Sequence, residues 1–252
     1  MPPSGFTFIW LLAVSRSLKP ARNSKQFPYN ARMIITIDGP AGAGKSSAAR
    51  ELARRLGFEF LDTGAMYRAV TFAALRAGLD VRDHAAVAKI VPGLHIDMPP
   101  GHVILNGEDV TELLRTAEIT AASGPIADNA AVRRRLGTRQ REIATGRNMV
   151  CEGRDQGTVV FPDAARKFFL IADPAERARR RQREMQARGE VLEFSEVLKT
   201  QEARDRRDAQ RDLGPMKPAA DAVILDSTAL TLEQVVDLME QAARRCLPGS
   251  TI

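Results

Sequence analysis

Residues 34–46 read Ile-Ile-Thr-Ile-Asp-Gly-Pro-Ala-Gly-Ala-Gly-Lys-Ser, and the rest of the chain is organised around this stretch. The β-branched run at 34–37 predicts a strand, and the glycines that follow predict a turn. Beyond the turn, apolar residues recur at helical spacing as far as Leu56. The local prediction is therefore a strand, a glycine-rich loop and a helix.

The loop between Gly39 and Ser46 satisfies the phosphate-binding pattern G-x-x-x-x-G-K-[ST]. Glycines let successive backbone N–H groups turn toward phosphate oxygens, and the positive end of the following helix faces the same oxygens. We expect Lys45 to reach the outer phosphates and the Ser46 hydroxyl to bind Mg²⁺. The pattern predicts a nucleotide site.

Four further apolar segments predict strands, at residues 58–61, 148–151, 167–171 and 222–225. Because each of the five strands is followed by a predicted helix, we expect an α/β fold with a five-stranded parallel sheet flanked by helices. Residues 94–110 differ, since Pro-Pro-Gly and Asn-Gly turns separate short apolar runs and predict an antiparallel meander. We interpret residues 93–120 as an insertion. Helix is predicted in pieces over residues 112–145, with a break at 123–125.

The positive charge is concentrated at the N-terminus. The net charge is +6, and residues 1–32 contain Arg16, Lys19, Arg22, Lys25 and Arg32 but no acidic residue. The rest is nearly neutral, which favours no nucleic-acid partner. The apolar run at 6–14 is too short to span a bilayer, so we expect no membrane partner. Residues 1–32 are interpreted as a disordered extension and residues 246–252 as a tail.

Two cysteines, Cys151 and Cys246, lack the spacing of a metal site. We expect both to be reduced and to behave as small apolar side chains in a cytoplasmic protein. No long apolar helix face is left without a partner in this interpretation. A monomer is therefore expected.

A phosphate loop serves ATPases, GTPases and kinases, so other segments must distinguish them. The chain has no guanine-reading Asn-Lys-x-Asp sequence, and no aspartate ends an apolar strand as in a Walker B motif, although Glu152 ends one. Arginines stand at loops and helix ends instead: Arg68, Arg133, Arg154, Arg177, Arg180, Arg181, Arg204 and Arg211. Phosphoryl transfer between nucleotides needs such cations, because the phosphates brought together repel one another.

Several stretches together resemble the bacterial cytidylate kinases, over residues 33–245. They are residues 39–46, 62–68, 104–110, 152–164 and 204–211. The resemblance implies a P-loop core with the insert near the acceptor and a helical lid at residues 174–190. It also implies transfer of the γ-phosphoryl group of ATP to CMP or dCMP, with Mg²⁺ as cofactor.

The resemblance implies a role for each site residue. ATP would be held by Gly39, Pro40, Ala41, Gly42, Ala43, Gly44, Lys45, Ser46 and Ser47. The catalytic residues would be Lys45, Arg154, Arg177 and Arg181, and Mg²⁺ would be bound by Ser46 and, through water, by Glu152. CMP would be bound by Thr63, Arg68, Ser123, Arg133, Arg154, Asp155, Arg204, Asp208 and Arg211.

Within that set, Ser123, Arg133 and Asp155 would recognise the cytosine. A carboxylate at Asp155 suits the exocyclic amino donor of cytosine, where uracil presents a carbonyl. Members of the family often have serine in place of Thr63 and aspartate in place of Glu152. Both differences keep the functional group.

Two alternatives remain open. Another nucleoside monophosphate kinase would use AMP or UMP as acceptor, and the three base-reading residues argue against it. A nucleotide-dependent RNA-binding module would use the arginine-rich helices and the basic N-terminus. Few aromatic residues are present for the base stacking that such a module needs.

Overall fold

The computed structural model describes residues 33–187 and 189–246. Its strands are β1 Ile34–Asp38, β2 Glu59–Asp62, β3 Ile96–Asp97, β4 Ile104–Leu105, β5 Glu108–Asp109, β6 Met149–Glu152, β7 Arg166–Ile171 and β8 Val223–Asp226. The main sheet has the order β2-β6-β1-β7-β8 and every pairing in it is parallel. The prediction of a five-stranded parallel sheet is confirmed, with each strand within one residue of its expected limits.

Helices connect these strands and cover both faces of the main sheet. They are α1 Lys45–Leu56, α2 Thr63–Arg76, α3 His84–Ile90, α4 Ala117–Asp128, α5 Ala130–Ala144, α6 Pro174–Gln186, α7 Phe194–Gln210 and α8 Leu232–Arg244. Several have a side-chain N-cap: Asp62 accepts from the amide of Ala65, and Thr231 and Gln234 form a capping box. Such caps satisfy amides that the first helical turn leaves unpaired.

Two apolar clusters lie on opposite faces of the sheet, as the alternation of side chains along a strand requires. Met149 and Cys151 of β6 join the cluster under α2 and α5. Val150, between them, joins the cluster under α1 and α8. Central strands buried on both faces are typical of a parallel α/β sheet.

The second sheet is the predicted antiparallel meander, with order β3-β4-β5. Its strands are shorter than the apolar runs suggested. Asn106 and Gly107, with φ values of 50° and 88°, form the tight turn between β4 and β5, where both central residues need a positive φ. Leu105 is fully buried, so the meander packs on the core through one face.

Two details of the predicted secondary structure were wrong. No α-helix follows β6, which continues instead into a π-helical turn at Gln156–Val160. The expected break at 123–125 is absent, because α4 runs through Pro125 and ends at Asp128, with Asn129 as its cap. The Asn129 side chain accepts from the amides of Ala131 and Val132 and so caps the start of α5. This cap defines the boundary between the two helices more strongly than Pro125, which only removes one backbone N–H.

The expected extension at 1–32 lies outside the described residues, and so do residues 247–252 of the expected tail. Within residues 33–187 and 189–246, no helix combines the length and the apolar composition needed to cross a lipid bilayer.

Candidate active site

Three glycines with positive φ shape the loop between β1 and α1. Gly39, Gly42 and Gly44 have φ values of 137°, 76° and 87°, which side-chain-bearing residues rarely adopt. A Cβ atom on Gly39 would lie 2.0 Å from the carbonyl oxygen of Leu170. The loop therefore lies directly against the end of β7, with no room for a side chain at its first position.

Lys45 is the first residue of α1 and is buried, with 5% of its surface exposed. Its Nζ donates a hydrogen bond of 2.7 Å to the carbonyl oxygen of Pro40. The pKa of Lys45 is lowered to about 7, mainly by burial and then by repulsion from Arg154, while Glu152 opposes the shift. An anionic ligand beside this ammonium group would favour its charged form, so the loop suits a phosphate.

The other loop residues are anchored to later parts of the chain. The amide of Ala41 donates to Asp205 over 3.3 Å, and its carbonyl oxygen accepts from Arg177 over 3.0 Å. Ala43 is fully buried and its carbonyl oxygen accepts from Ser227. Ser46 and Ser47 are exposed in the first turn of α1. The two serine hydroxyls face solvent, whereas the loop backbone is fixed.

The carboxyl ends of β2 and β6 meet beside this loop, because Asp62 is paired in register with Glu152. Thr63 donates a hydrogen bond of 2.6 Å to the carbonyl oxygen of Glu152, and Arg68 donates to Asp62 over 3.1 Å. Side chains at this edge of a parallel sheet are where ligands bind in open α/β folds. The topology thus brings the two predicted acceptor segments together.

Lys45, Arg68, Arg154 and Arg204 form what we call the cation cluster. The pKa of Arg204 is lowered to about 10, mainly by burial and then by repulsion from Arg154, while Asp208 opposes the shift. Arg68 also repels Arg204, and Arg154 repels Lys45. Cations held together against mutual repulsion favour a ligand that carries several negative charges.

A more shielded pair lies next to the cation cluster. Arg133 and Asp155 form an ion pair in which each side chain is 5% exposed. The Arg133 guanidinium also lies 5.7 Å from the centre of the Tyr67 ring. Since Asp155 follows Arg154 directly, a ligand with its phosphate in the cation cluster could place a polar ring at this pair.

Ser123 is buried on α4 and donates to the carbonyl oxygen of Thr120 over 2.8 Å. Its neighbour Gly124 lets α4 approach α7, since a Cβ there would lie 2.6 Å from the Arg207 guanidinium. Ser123 therefore lies on a helix that packs against α7, and its described hydrogen bond is to its own helix rather than to Arg133 or Asp155.

Asp208 and Arg211 connect α7 to the other segments. The Asp208 carboxylate accepts from Arg154 over 2.9 Å and from Arg211 over 2.6 Å. Arg211 also donates to Asp128 at the end of α4 over 2.8 Å. A single carboxylate thus sets the position of Arg154, the arginine that the sequence places at the centre of the site.

The arginines of α6 differ in position. Arg177 is buried and forms an ion pair with Asp205. Arg180 lies beside the loop, because a Cβ on Gly44 would be 3.9 Å from its guanidinium. Arg181 is about one-third exposed and pairs with Glu184. Arg177 and Arg180 therefore lie at the phosphate loop. Arg181, also an expected catalytic residue, makes no contact with that loop among the described residues.

Oxygen atoms suited to Mg²⁺ lie at the loop. Glu152 is 6% exposed, and its Oε2 atom has no hydrogen-bond partner among the described residues. The Ser46 hydroxyl is exposed at the start of α1. Mg²⁺ is commonly bound through one or two protein oxygens plus substrate phosphates. The residues present fit such an ion, and the described chain contains no group of three or more metal-ligating side chains.

Sequence reasoning missed two aspartates at the site. Asp38 precedes the loop and binds the amides of Gln156 and Gly157, and Asp205 contacts Ala41 and Arg177. Asp38 carried a signal, since an acidic residue that ends a buried strand needs a polar partner, and the expectation that no aspartate ends an apolar strand was wrong at this position. Asp205 lies in the stretch 204–211 that carries the family resemblance, but it is one of many charged residues on α7 and nothing in the sequence assigned it a role of its own.

Comparison with known proteins gives a consistent assignment. The family model described as cytidylate kinase matches residues 35–245. A cytidylate kinase from Rhodopirellula baltica is 44% identical over 86% of this chain and 95% of its own length. One from Citrifermentans bemidjiense is 47% identical over 85% and 94%, and one from Azotobacter vinelandii is 43% identical over 86% and 98%. On this similarity, which includes the phosphate loop and the segments that build the cation cluster, the chain belongs to the cytidylate kinase family.

Proposed function

We propose that this chain transfers the γ-phosphoryl group of ATP to CMP and dCMP, giving CDP and dCDP. The main support for this proposal is the position of the Arg133–Asp155 pair beside the cation cluster. The match of the family model to residues 35–245 agrees with it. A phosphate held by the cations would leave the attached base at a buried carboxylate. Cytosine offers that carboxylate an amino donor.

The protein would contribute positioning and charge rather than covalent chemistry. Lys45 and the loop amides would hold the phosphates of ATP, and Arg154 and Arg177 would neutralise charge as the phosphoryl group moves. Mg²⁺ held by Ser46 and, through water, by Glu152 would supply further neutralisation of phosphate charge. Because both substrates must lie in line, the rate depends on how rigidly these groups are held.

The acceptor would be fixed at three places. Thr63, Arg68 and Arg154 would bind its phosphate, Arg204 and Asp208 its sugar, and Arg211 a position near the phosphates. Ser123, Arg133 and Asp155 would bind the base. Residues 174–190, with Arg177, Arg180 and Arg181, would close over ATP and exclude water, which prevents hydrolysis.

We further propose that the enzyme is monomeric and cytoplasmic. It needs no nucleic-acid partner, since both substrates are free nucleotides.

The test is steady-state turnover of the full chain with ATP and Mg²⁺ against CMP, dCMP, UMP and AMP. CMP and dCMP are expected to have the highest kcat/KM, and chelation of Mg²⁺ is expected to abolish turnover. A preference for AMP or UMP would contradict the assignment of the base-reading residues. Absence of turnover with every acceptor would contradict the proposed activity itself.

Replacing Arg154 with alanine is expected to lower kcat with CMP by about a hundredfold. The guanidinium would lie between the two bound substrates, and Asp208 would keep its bond to Arg211 when Arg154 is removed. The fold should therefore survive. Arg154→Lys should recover only part of the rate, because an ammonium lacks the planar fork that binds two oxygens.

The matched control for Arg154→Ala is Arg206→Ala, an exposed arginine on α7. Its kcat and KM values should equal those of the unchanged protein. Near-normal kcat in Arg154→Ala, measured with saturating CMP and ATP, would remove Arg154 from the reaction.

A further inference from the structure

Asp38 is a buried carboxylate outside the roles assigned above. It is the last residue of β1, is 4% exposed, and directly precedes Gly39 of the phosphate loop. Burial raises its pKa to about 6, while bonds from the amides of Gly157 and Gln156 oppose the shift. A charge kept at such a site is costly unless its hydrogen bonds are specific. The two amide hydrogen bonds are therefore what stabilises a carboxylate at this position.

Both oxygens of Asp38 accept from consecutive backbone amides. Gln156 donates to Oδ1 over 2.9 Å and Gly157 donates to Oδ2 over 2.7 Å. These amides open the π-helical turn Gln156–Val160 and come immediately after Asp155. Irregular turns of this kind often lie at functional sites. One side chain on the ATP side of the sheet thus holds the segment that carries the proposed acceptor-binding residues.

The atoms around Gly157 are closely packed, which restricts movement of its amide relative to the Asp38 carboxylate. A Cβ at Gly157 would lie 2.9 Å from Thr36 Oγ1, 3.2 Å from Lys167 and 3.4 Å from Asp38 itself. The segment also extends the β1–β6 pairing, since Gly153 donates to the carbonyl oxygen of Ile37 over 3.0 Å. Its two ends are therefore tied to β1, by the main chain at Gly153 and by the Asp38 carboxylate after Asp155.

We propose that Asp38 is a positioning residue that fixes Arg154 and Asp155 relative to the phosphate loop, and so sets the distance between donor and acceptor. The inference rests on the proposed phosphoryl transfer to CMP. Asp38 touches neither substrate. It acts through the backbone of Gln156 and Gly157, and its neighbour Gly39 begins the loop that would hold ATP.

Asp38→Asn tests the inference, since asparagine keeps the size of the side chain but offers one acceptor oxygen where two amides need acceptors. Asp38→Asn is expected to lower kcat/KM for CMP by about a hundredfold, as expected for a misplaced reacting group. The Kd for ATP, measured without CMP, should stay within about twofold. Amide hydrogen exchange in residues 154–160 should rise about tenfold, while exchange in residues 39–46 stays unchanged.

Thr36→Val is the matched control. Thr36 is fully buried two residues earlier on β1, on the same face, and bonds to neither amide. The change is nearly isosteric, so its kinetics with CMP should equal those of the unchanged protein. If Thr36→Val had the same effect as Asp38→Asn, general packing of β1 would explain the result and the proposal would be overturned.

Asp38→Ser provides a second variant, smaller and neutral, should the asparagine variant fail to fold. Unaltered kcat/KM and exchange in either folded variant would overturn the inference, as would an equal loss of ATP affinity. Unfolding of both variants at 25 °C would assign Asp38 to stability and also overturn it. Failure of the proposed function is distinguishable, because the unchanged chain would then show no turnover of CMP.

Discussion

Replacing Lys45 with alanine is expected to lower kcat by about a thousandfold, or about 4 kcal/mol in the barrier. Lys45 is the only lysine of the cation cluster, and its ammonium lies within the turn of the loop, bonded to the carbonyl oxygen of Pro40. Arginines of α6 and α7 approach the site from outside the loop and cannot take that position. The charge that builds up on the phosphates during transfer would then be left unbalanced.

The fold should tolerate this change. Removing a buried ammonium whose desolvation lowers its pKa also removes a cost to the folded state, so the thermal unfolding midpoint of Lys45→Ala should not fall markedly. Lys89→Ala, at an exposed lysine on α3, is the matched control and should retain full activity. Normal kcat in Lys45→Ala, with saturating ATP, would show that the loop does not hold the transferred phosphate.

Asp155→Asn is expected to lower kcat/KM for CMP by about a hundredfold to a thousandfold and to raise that for UMP relative to CMP. An asparagine oxygen can still accept from Arg133, so the buried arginine keeps a partner. Its amide group, however, donates where the carboxylate accepts. It therefore matches the carbonyl of uracil better than the amino group of cytosine.

Asp155→Ala is a less informative change, because it leaves Arg133 buried without its ion pair and should destabilise the fold by several kcal/mol. Asp163→Asn, at an exposed position in the loop before β7, is the matched control and should leave the CMP to UMP ratio unaltered. ATP affinity should be unchanged in both asparagine variants. If Asp155→Asn keeps the original ratio of kcat/KM for CMP and UMP, Asp155 does not read the base.

Local patterns predicted most of the fold. The strand, loop and helix over residues 34–56 could be predicted because β-branched residues, glycines and a helical repeat follow one another without ambiguity. The meander was predicted from its turns, and Asn106 with Gly107 confirms the turn type. The break predicted at Pro125 was wrong: a proline inside a helix is usually disruptive, yet α4 continues past it to Asp128.

The contacts that hold the site together could not be predicted in the same way. Asp38 meets amides 118 and 119 residues later in the chain, and Asp205 meets a loop amide 164 residues earlier. Nothing in a local window indicates which of many carboxylates finds such a partner. The residue roles taken from the family resemblance stay predictions, although the fold brings Thr63, Arg68, Arg154, Arg204 and Asp208 to one edge of the sheet.

We expect the cation cluster to link the stability of this protein to the supply of its substrates. Burial lowers the pKa of Arg204 and of Lys45, and without a ligand the repulsion from neighbouring cations adds to that effect. A bound nucleotide relieves it, and at a hundred times its Kd a ligand stabilises the folded state by about 2.7 kcal/mol. We therefore expect the ligand-free form to be the more readily degraded one, so that the abundance of the protein would follow the nucleotide pool.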